Sequence, residues 1–160
     1  MITELVISKK SEYGFLLEFL IEHSDYDFYF TEDNNRIYVT DLKSLKKLLK
    51  NTSKIYIQKE KDDYIGCVLI LKSFDKVQPR YYIKVCAKST KIAKDILTVL
   101  LWDSKKELFI KLRKDSKFLN IFKEKGFRFQ GSRGVQILLN RKPMIYEKVF
   151  KPEDNNVGYK

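Results

Sequence analysis

The apolar positions of the chain follow two periods, roughly 3.6 and 2 residues, and the character changes at Asn51–Ser53. Before that point Ile2 to Ser8 alternates as a first strand. Ser11 is a capping residue, and Phe15, Leu16, Phe19 and Leu20 follow it at helical spacing up to about His23. The stretch SDYDFYFTEDNN (Ser24 to Asn35) breaks the period with polar turn residues and reads as a loop. Arg36 to Thr40 is short and β-prone. Asp41 caps a second helix through Lys50, with Leu42, Leu45, Leu48 and Leu49 on one face.

Beyond Ser53, Lys54–Gln58, Tyr64–Leu71 and Arg80–Ala87 are rich in β-branched and aromatic residues. EKDD and KSFDKVQP separate them as turns, so the three predict an antiparallel meander. Ser89 to about Trp102 is a helix carrying Ile92, Ile96, Leu97, Val99 and Leu100. Glu107–Leu112 is a strand, and Ser116–Lys125 a helix that Gly126 stops. Phe127–Gln130 and Val135–Asn140 make a final hairpin around GSRG. The expected order is β-α-α-β-β-β-α-β-α-β-β: an α/β fold with one mixed central sheet and helices on both faces. The strands on either side of the Ser89 helix are parallel, joined by a right-handed crossover. One domain, residues 1–141, suffices, followed by a tail over 142–160.

Composition narrows the function classes. At 160 residues, 44% hydrophobic and 33% charged, the chain is globular. No apolar run approaches the ~20 residues needed to span a bilayer, and the N-terminal apolar stretch is too short for a signal peptide. A soluble, cytoplasmic protein without membrane association is expected, as a monomer or homodimer. Cys67 and Cys86 lie inside apolar strands without a Cys-x-x-Cys pair, and His23 is the only histidine, so packed thiols and no metal site are expected. No Gly-x-Ser-x-Gly turn accompanies His23, which leaves a serine-hydrolase reading weak. The net charge of +11 attracts polyanions, nucleic acid and CoA phosphates among them, and equally serves solubility, since the lysines are spread along the chain.

Chemistry concentrates at KSTKIA, Lys88 to Ala93, where a strand runs directly into a helix. The first amides of a helix lack internal partners and carry partial positive charge. Set after a strand, they cradle a pyrophosphate. Ser89 or Thr90 supplies the cap, Lys88 and Lys91 add charge, and Ala93 is small enough for close approach. The element order, this loop and NIFKEKGF (Asn120 to Phe127) together resemble the GNAT N-acetyltransferase superfamily over Met1 to Arg141. In that family the loop has the pattern Gln/Arg-x-x-Gly-x-Gly/Ala. Lys88 matches its first position and Ala93 its last, while Lys91 stands where the middle glycine would be. Phe122 stands where many members carry a proton-donating tyrosine.

The resemblance implies acetyl-CoA as cosubstrate and an amine as acceptor, with Val85, Cys86, Ala87, Lys88, Ser89, Thr90, Lys91, Ile92, Ala93 and Phe122 along the cofactor. An amide near Cys86 or Ala87 would polarise the thioester. Arg80–Ala87 offers no carboxylate as general base, so Asp115, Ser116 and Asn120 are the catalytic candidates, each equally readable as a cap or a solvated residue. Substrate contacts would come from the loop between the first two helices and from the last hairpin, through Tyr29, Arg36 and Arg133. Two other readings stay open: a GNAT-fold protein that modifies or binds nucleic acid, and a structural or interaction protein on the same scaffold.

Overall fold

The computed structural model describes residues 2–4, 11–24, 28–33, 35–75 and 78–143. The elements are β1 (Ile2–Glu4), α1 (Ser11–His23), β2 (Tyr29–Glu32), β3 (Asn35–Tyr38), α2 (Leu42–Lys50), β4 (Thr52–Glu60), β5 (Asp63–Asp75), β6 (Gln78–Ala87), α3 (Thr90–Asp103), β7 (Leu108–Arg113), α4 (Leu119–Glu124), β8 (Arg128–Arg133) and β9 (Gln136–Arg141). A seven-stranded sheet has the order β1-β4-β5-β6-β7-β9-β8, and β2 and β3 form a separate two-stranded hairpin. All strand pairs in the large sheet are antiparallel except β6 with β7. The expected meander (β4, β5, β6) and the parallel pair around α3 are therefore both present.

Strand alternation sorts the core into two layers. Tyr56, Val68, Ile70, Ile83 and Val85 face Ile96, Leu97 and Leu100 of α3, together with Phe118 and Phe122. Their sequence neighbours Ile55, Ile57, Cys67, Leu69 and Cys86 face Leu16, Phe19 and Leu20 of α1 and Leu45 and Leu48 of α2. Helices thus cover both faces of the sheet. Both cysteines are free and buried. Among the described residues no helix is long and apolar enough to cross a membrane.

Four details depart from the sequence expectation. The stretch expected as a loop after α1 contains β2, paired with β3 from Tyr29↔Tyr38 to Glu32↔Asn35, because Phe30 and Val39 find burial against α1 and α2. KSFDKVQP is not a turn throughout: β5 runs on to Asp75 and β6 starts at Gln78, with Phe74 opposite Pro79. The last hairpin turns at Gly134 (φ 61°), so Gly131, Ser132 and Arg133 belong to β8 rather than to its tip. The helix expected over Ser116–Lys125 begins only at Leu119, after a turn in which the Ser116 hydroxyl accepts from Phe118 N. Its far end closes as expected. Gly126 (φ 91°) donates to Lys123 O and Phe127 N to Phe122 O, the double bond pattern of a left-handed helix stop. Of the first strand, expected to reach Ser8, only residues 2–4 are described, and the expected tail beyond residue 143 lies outside the described residues.

Candidate active site between β6 and β7

The site arises from an interruption in the sheet. The parallel pairing of β6 and β7 covers only Tyr81↔Leu108 and Tyr82↔Phe109. The closed end is clamped by aromatic and cationic side chains, with the Tyr82 and Phe109 rings 5.7 Å apart and Arg80 4.6 Å over Phe109. Beyond Tyr82, β6 runs on beside β5 without further pairing to β7, while β7 pairs with β9 from Leu108↔Arg141 to Arg113↔Gln136. The two strands open into a wedge.

Backbone register decides which amides face that wedge. Lys88 N donates to Ile65 O at 3.0 Å, so Lys88–Ile65 is a hydrogen-bonded antiparallel pair. Such pairs alternate along a ladder, so Cys86 opposite Cys67 is hydrogen-bonded as well, and the amides of Ile83, Val85 and Ala87 point towards the wedge. Ser24, just past α1, forms an antiparallel bridge with Cys86 on the wedge side. A bridge of that register uses the Val85 carbonyl and the Ala87 amide, leaving the Val85 amide as the open donor. The sequence expectation is an amide near Cys86 or Ala87; register singles out that of Val85, the residue before Cys86, as the open one.

Where β6 ends, α3 begins. Ser89 is its cap: the hydroxyl accepts from Ile92 N at 3.2 Å, and Ser89 O accepts from Ala93 N. By helix geometry the amides of Thr90 and Lys91 are then left at the helix mouth. Lys91, in place of a glycine, lays its side chain along the helix towards Asp95, Nζ to Oδ2 3.3 Å, and leaves that mouth clear. Lys88 is exposed beside it. Ala93 is buried against the sheet, so its smallness serves packing. Close approach of α3 to β5 depends on Gly66, which the sequence reading passed over. A Cβ there would lie 2.4 Å from Ile96 Cδ1 and 2.5 Å from Ile92 Cγ2.

Two neighbouring cavities lie at the wedge. The inner one, about 80 Å³, is lined by Lys84 and Val85 of β6, Lys111 and Arg113 of β7, and Phe28 and Phe118 among others. The outer one, about 790 Å³, is lined by Tyr29, Arg36, Tyr38, Arg113, Arg133 and Val135 among others. Ser24, Phe28, Tyr29, Arg113 and Gln136 line both. The three residues expected to touch substrate, Tyr29, Arg36 and Arg133, are therefore brought to one cavity.

Tyr29 organises its wall. Arg36 lies 4.6 Å and Lys84 4.4 Å from the ring centre, and its hydroxyl accepts from Gln136 Nε2 at 2.7 Å. Lys84 is the functional candidate that sequence reasoning missed. Enclosure by protein, with Lys111 and Arg36 nearby, pushes its amine down to about 8. The signal was present in RYYIKVCA, where one lysine sits in a strand that is otherwise buried at this end.

The expected catalytic candidates lie apart from both cavities' linings. Asp115 is held by Arg113, Oδ1 to Nε 3.2 Å; Ser116 is buried and spends its hydroxyl on Phe118 N; Asn120 is exposed on α4. Phe122 is fully buried with its ring edge-on to Phe127 at 5.0 Å, a core residue. His23 ends α1 beside the Phe19 ring and Glu22. Among the described residues no group of His, Cys, Asp or Glu is arranged to hold a metal ion.

No family model matches the sequence, and no curated protein does. Solved structures do match its fold. The ribosomal-protein-alanine N-acetyltransferase of Brucella melitensis aligns with a TM-score of 0.65 at 10% identity, over 89% of this chain and 99% of that one. A GNAT family acetyltransferase from Elizabethkingia anophelis, solved with acetyl-CoA bound, aligns at 0.57 and 15% identity over 89% and 97%. The aminoglycoside 6'-N-acetyltransferase of Enterococcus faecium aligns at 0.63 and 8% identity over 90% and 97%. Identities this low speak for the fold alone. The chain has the GNAT N-acetyltransferase fold.

Proposed function

We propose that this protein transfers an acetyl group from acetyl-CoA to the amine of an acceptor held in the outer cavity. The observation that carries the reading is the opening of β6 from β7 after Tyr82 and Phe109, directly ahead of a capped fourteen-residue helix. The residues present fit the cosubstrate: two amides at the mouth of α3 for a pyrophosphate, an exposed Lys88 beside them, and a wedge-facing strand edge for the pantetheine arm. When bound, acetyl-CoA supplies an activated thioester carbonyl.

The chain's own residues then have definite tasks. Thr90 and Lys91 amides hold the pyrophosphate. The Val85 amide donates to the thioester oxygen and stabilises the negative charge that builds there. Neutral Lys84 accepts the proton that the acceptor's ammonium group must lose before its nitrogen attacks. The new N–C bond forms as the C–S bond breaks, and the attacking nitrogen's second proton goes to the departing thiolate, so no tyrosine at Phe122 is needed. Tyr29 and Gln136 fix Lys84 and the acceptor relative to one another, and positioning of this kind supplies much of the rate.

Isothermal titration of the protein with acetyl-CoA tests this. Micromolar binding, weakened several-fold when Lys88 and Lys91 are both changed to Ala, is expected. No heat and no thermal shift at millimolar acetyl-CoA sinks the reading.

A further inference from the structure

The outer cavity has an unusual charge balance. Its lining includes three guanidinium groups, from β3 (Arg36), the end of β7 (Arg113) and the end of β8 (Arg133). No Asp or Glu is among the described residues that line it; Asp25 and Asp27 lie outside the described residues. The inner cavity adds Lys84 and Lys111, again without a carboxylate among its described lining. Asp115 takes up part of the Arg113 charge through its Nε. Among the described residues neither Arg36 nor Arg133 has such a carboxylate partner: both are exposed, and Arg36 is seated on the Tyr29 ring and hydrogen-bonds Tyr38.

A pocket of this sign repels a polycationic amine and attracts an anion. Guanidinium forks match the two oxygens of a carboxylate or phosphate, and seating one on an aromatic ring fixes its plane in advance. The aromatic and apolar residues of the rim, Phe28, Tyr29, Tyr38 and Val135, suit a flat or apolar body between the two ends of a ligand. The volume, about 790 Å³, is that of a small-molecule site.

We infer that the acceptor is a small amine that also carries an anionic group, a carboxylate or a phosphate, held by Arg36 and Arg133 while the amine reaches Lys84. This rests on the acetyl-transfer reading, and names the substrate class of that site. It separates this chain from an enzyme for polycationic acceptors, although the fold is shared with the aminoglycoside 6'-N-acetyltransferase of Enterococcus faecium.

The test uses the full chain and saturating acetyl-CoA, with release of free CoA thiol followed over matched pairs of amines. One arm sets free amino acids and dipeptides against their methyl esters or amides. A second sets amino-sugar phosphates against the unphosphorylated amino sugars, and a third offers spermidine and an aminoglycoside. The expected result is kcat/KM at least about tenfold higher for the anionic member of one pair, which also says whether carboxylate or phosphate is preferred. Arg36→Gln and Arg133→Gln should each raise KM for that member about tenfold with little change in kcat, leaving the acetyl-CoA thermal shift as in the wild type. Arg133 is exposed, so its variant folds and reads the pocket even where Arg36→Gln does not. Equal turnover within every pair, preference for the polycations, or no anionic member acetylated by a protein that does bind acetyl-CoA overturns the inference. A protein without any acetyl-CoA thermal shift fails the acetyl-transfer reading itself. Calorimetric titration with the same pairs, without cosubstrate, then reads the pocket alone, and equal affinities within the pairs overturn its anion preference.

Discussion

The Lys84 amine lies 4.4 Å from the centre of the Tyr29 ring, and that contact joins the middle of the sheet to the small β2–β3 hairpin. It places one of the cations of the inner cavity against the wall of the outer one. Burial and the neighbouring Lys111 and Arg36 charges hold the amine at about 8, so a useful fraction is neutral at physiological pH. If Lys84 takes the acceptor's proton, transfer should rise with pH and level off above about 8. Lys84→Met should lower kcat by a factor on the order of 10²–10⁴ and remove that inflection. A pH–rate profile of both proteins checks it, and an unchanged profile in the variant removes Lys84 from the chemistry.

The same depressed value makes a separate prediction about stability. An unfolded lysine titrates near its ordinary 10.5, the folded one at about 8. Below pH 8 both states carry the proton, and the cost of enclosing the charge is fully present. Between the two values the unfolded chain binds the proton that the folded chain has released, so stability rises with pH across that window. Lys84→Met should therefore be more stable than the wild type at pH 7, by on the order of 1–3 kcal/mol given the surface the amine keeps open. The difference should shrink as pH rises from 8 to 10.5. Denaturant melts of both proteins at pH 7 and pH 10 measure it.

Much of this architecture is local, and local features are what a sequence displays. KIYIQ, YIGCVLIL and RYYIKVCA alternate because their two faces meet different helix layers, and Ser89 and Gly126 mark helix ends through their own backbone needs. The strand β2 escaped notice because Phe30 and Val39 are made apolar for burial against α1 and α2, contacts that no short window contains. The wedge itself is a failure of β6 and β7 to stay paired, which leaves no local mark at all. Asp115 and Ser116 stand out by residue type, while the partners the fold gives them, Arg113 for one and the Phe118 amide for the other, are not marked by residue type. Lys84 shows the reverse, a residue passed over because the search was for carboxylates.

Gly66 sets how closely α3 approaches the sheet. Ile92 and Ile96 lie where a side chain at Gly66 would go, and Ile96 is wholly buried. Gly66→Ala should cost about 1–3 kcal/mol by overpacking. It should also displace the first turn of α3 and weaken acetyl-CoA binding, because the Thr90 and Lys91 amides ride on that turn. Adding Ile96→Val, which removes the Cδ1 methyl that lies nearest, should recover part of both losses. Chemical denaturation and calorimetric titration of the single and double variants measure the coupling.

The two lysines of the loop should differ in what they give the cosubstrate. Lys91 Nζ is drawn 3.3 Å from Asp95 Oδ2, four residues along the helix, so its charge is directed away from the helix mouth and partly offset. Lys88 precedes the cap on the exposed end of the strand, where its charge adds to the partial positive charge of the α3 amides. Lys88→Ala should therefore weaken acetyl-CoA binding by a few-fold, the scale of one exposed charge contact of about 0.5–1 kcal/mol. Lys91→Ala should change it by less, since its backbone amide survives the substitution. Lys91→Pro removes that amide, and proline is tolerated in the first turn of a helix, so it should weaken binding more than Lys91→Ala while the fold persists. Titrations at low and at 0.5 M salt separate the contributions: the Lys88 effect should fade with screening, and the Lys91→Pro effect should persist. If Lys91→Ala and Lys91→Pro bind acetyl-CoA alike, the pyrophosphate does not rest on that amide and the helix mouth is not its site.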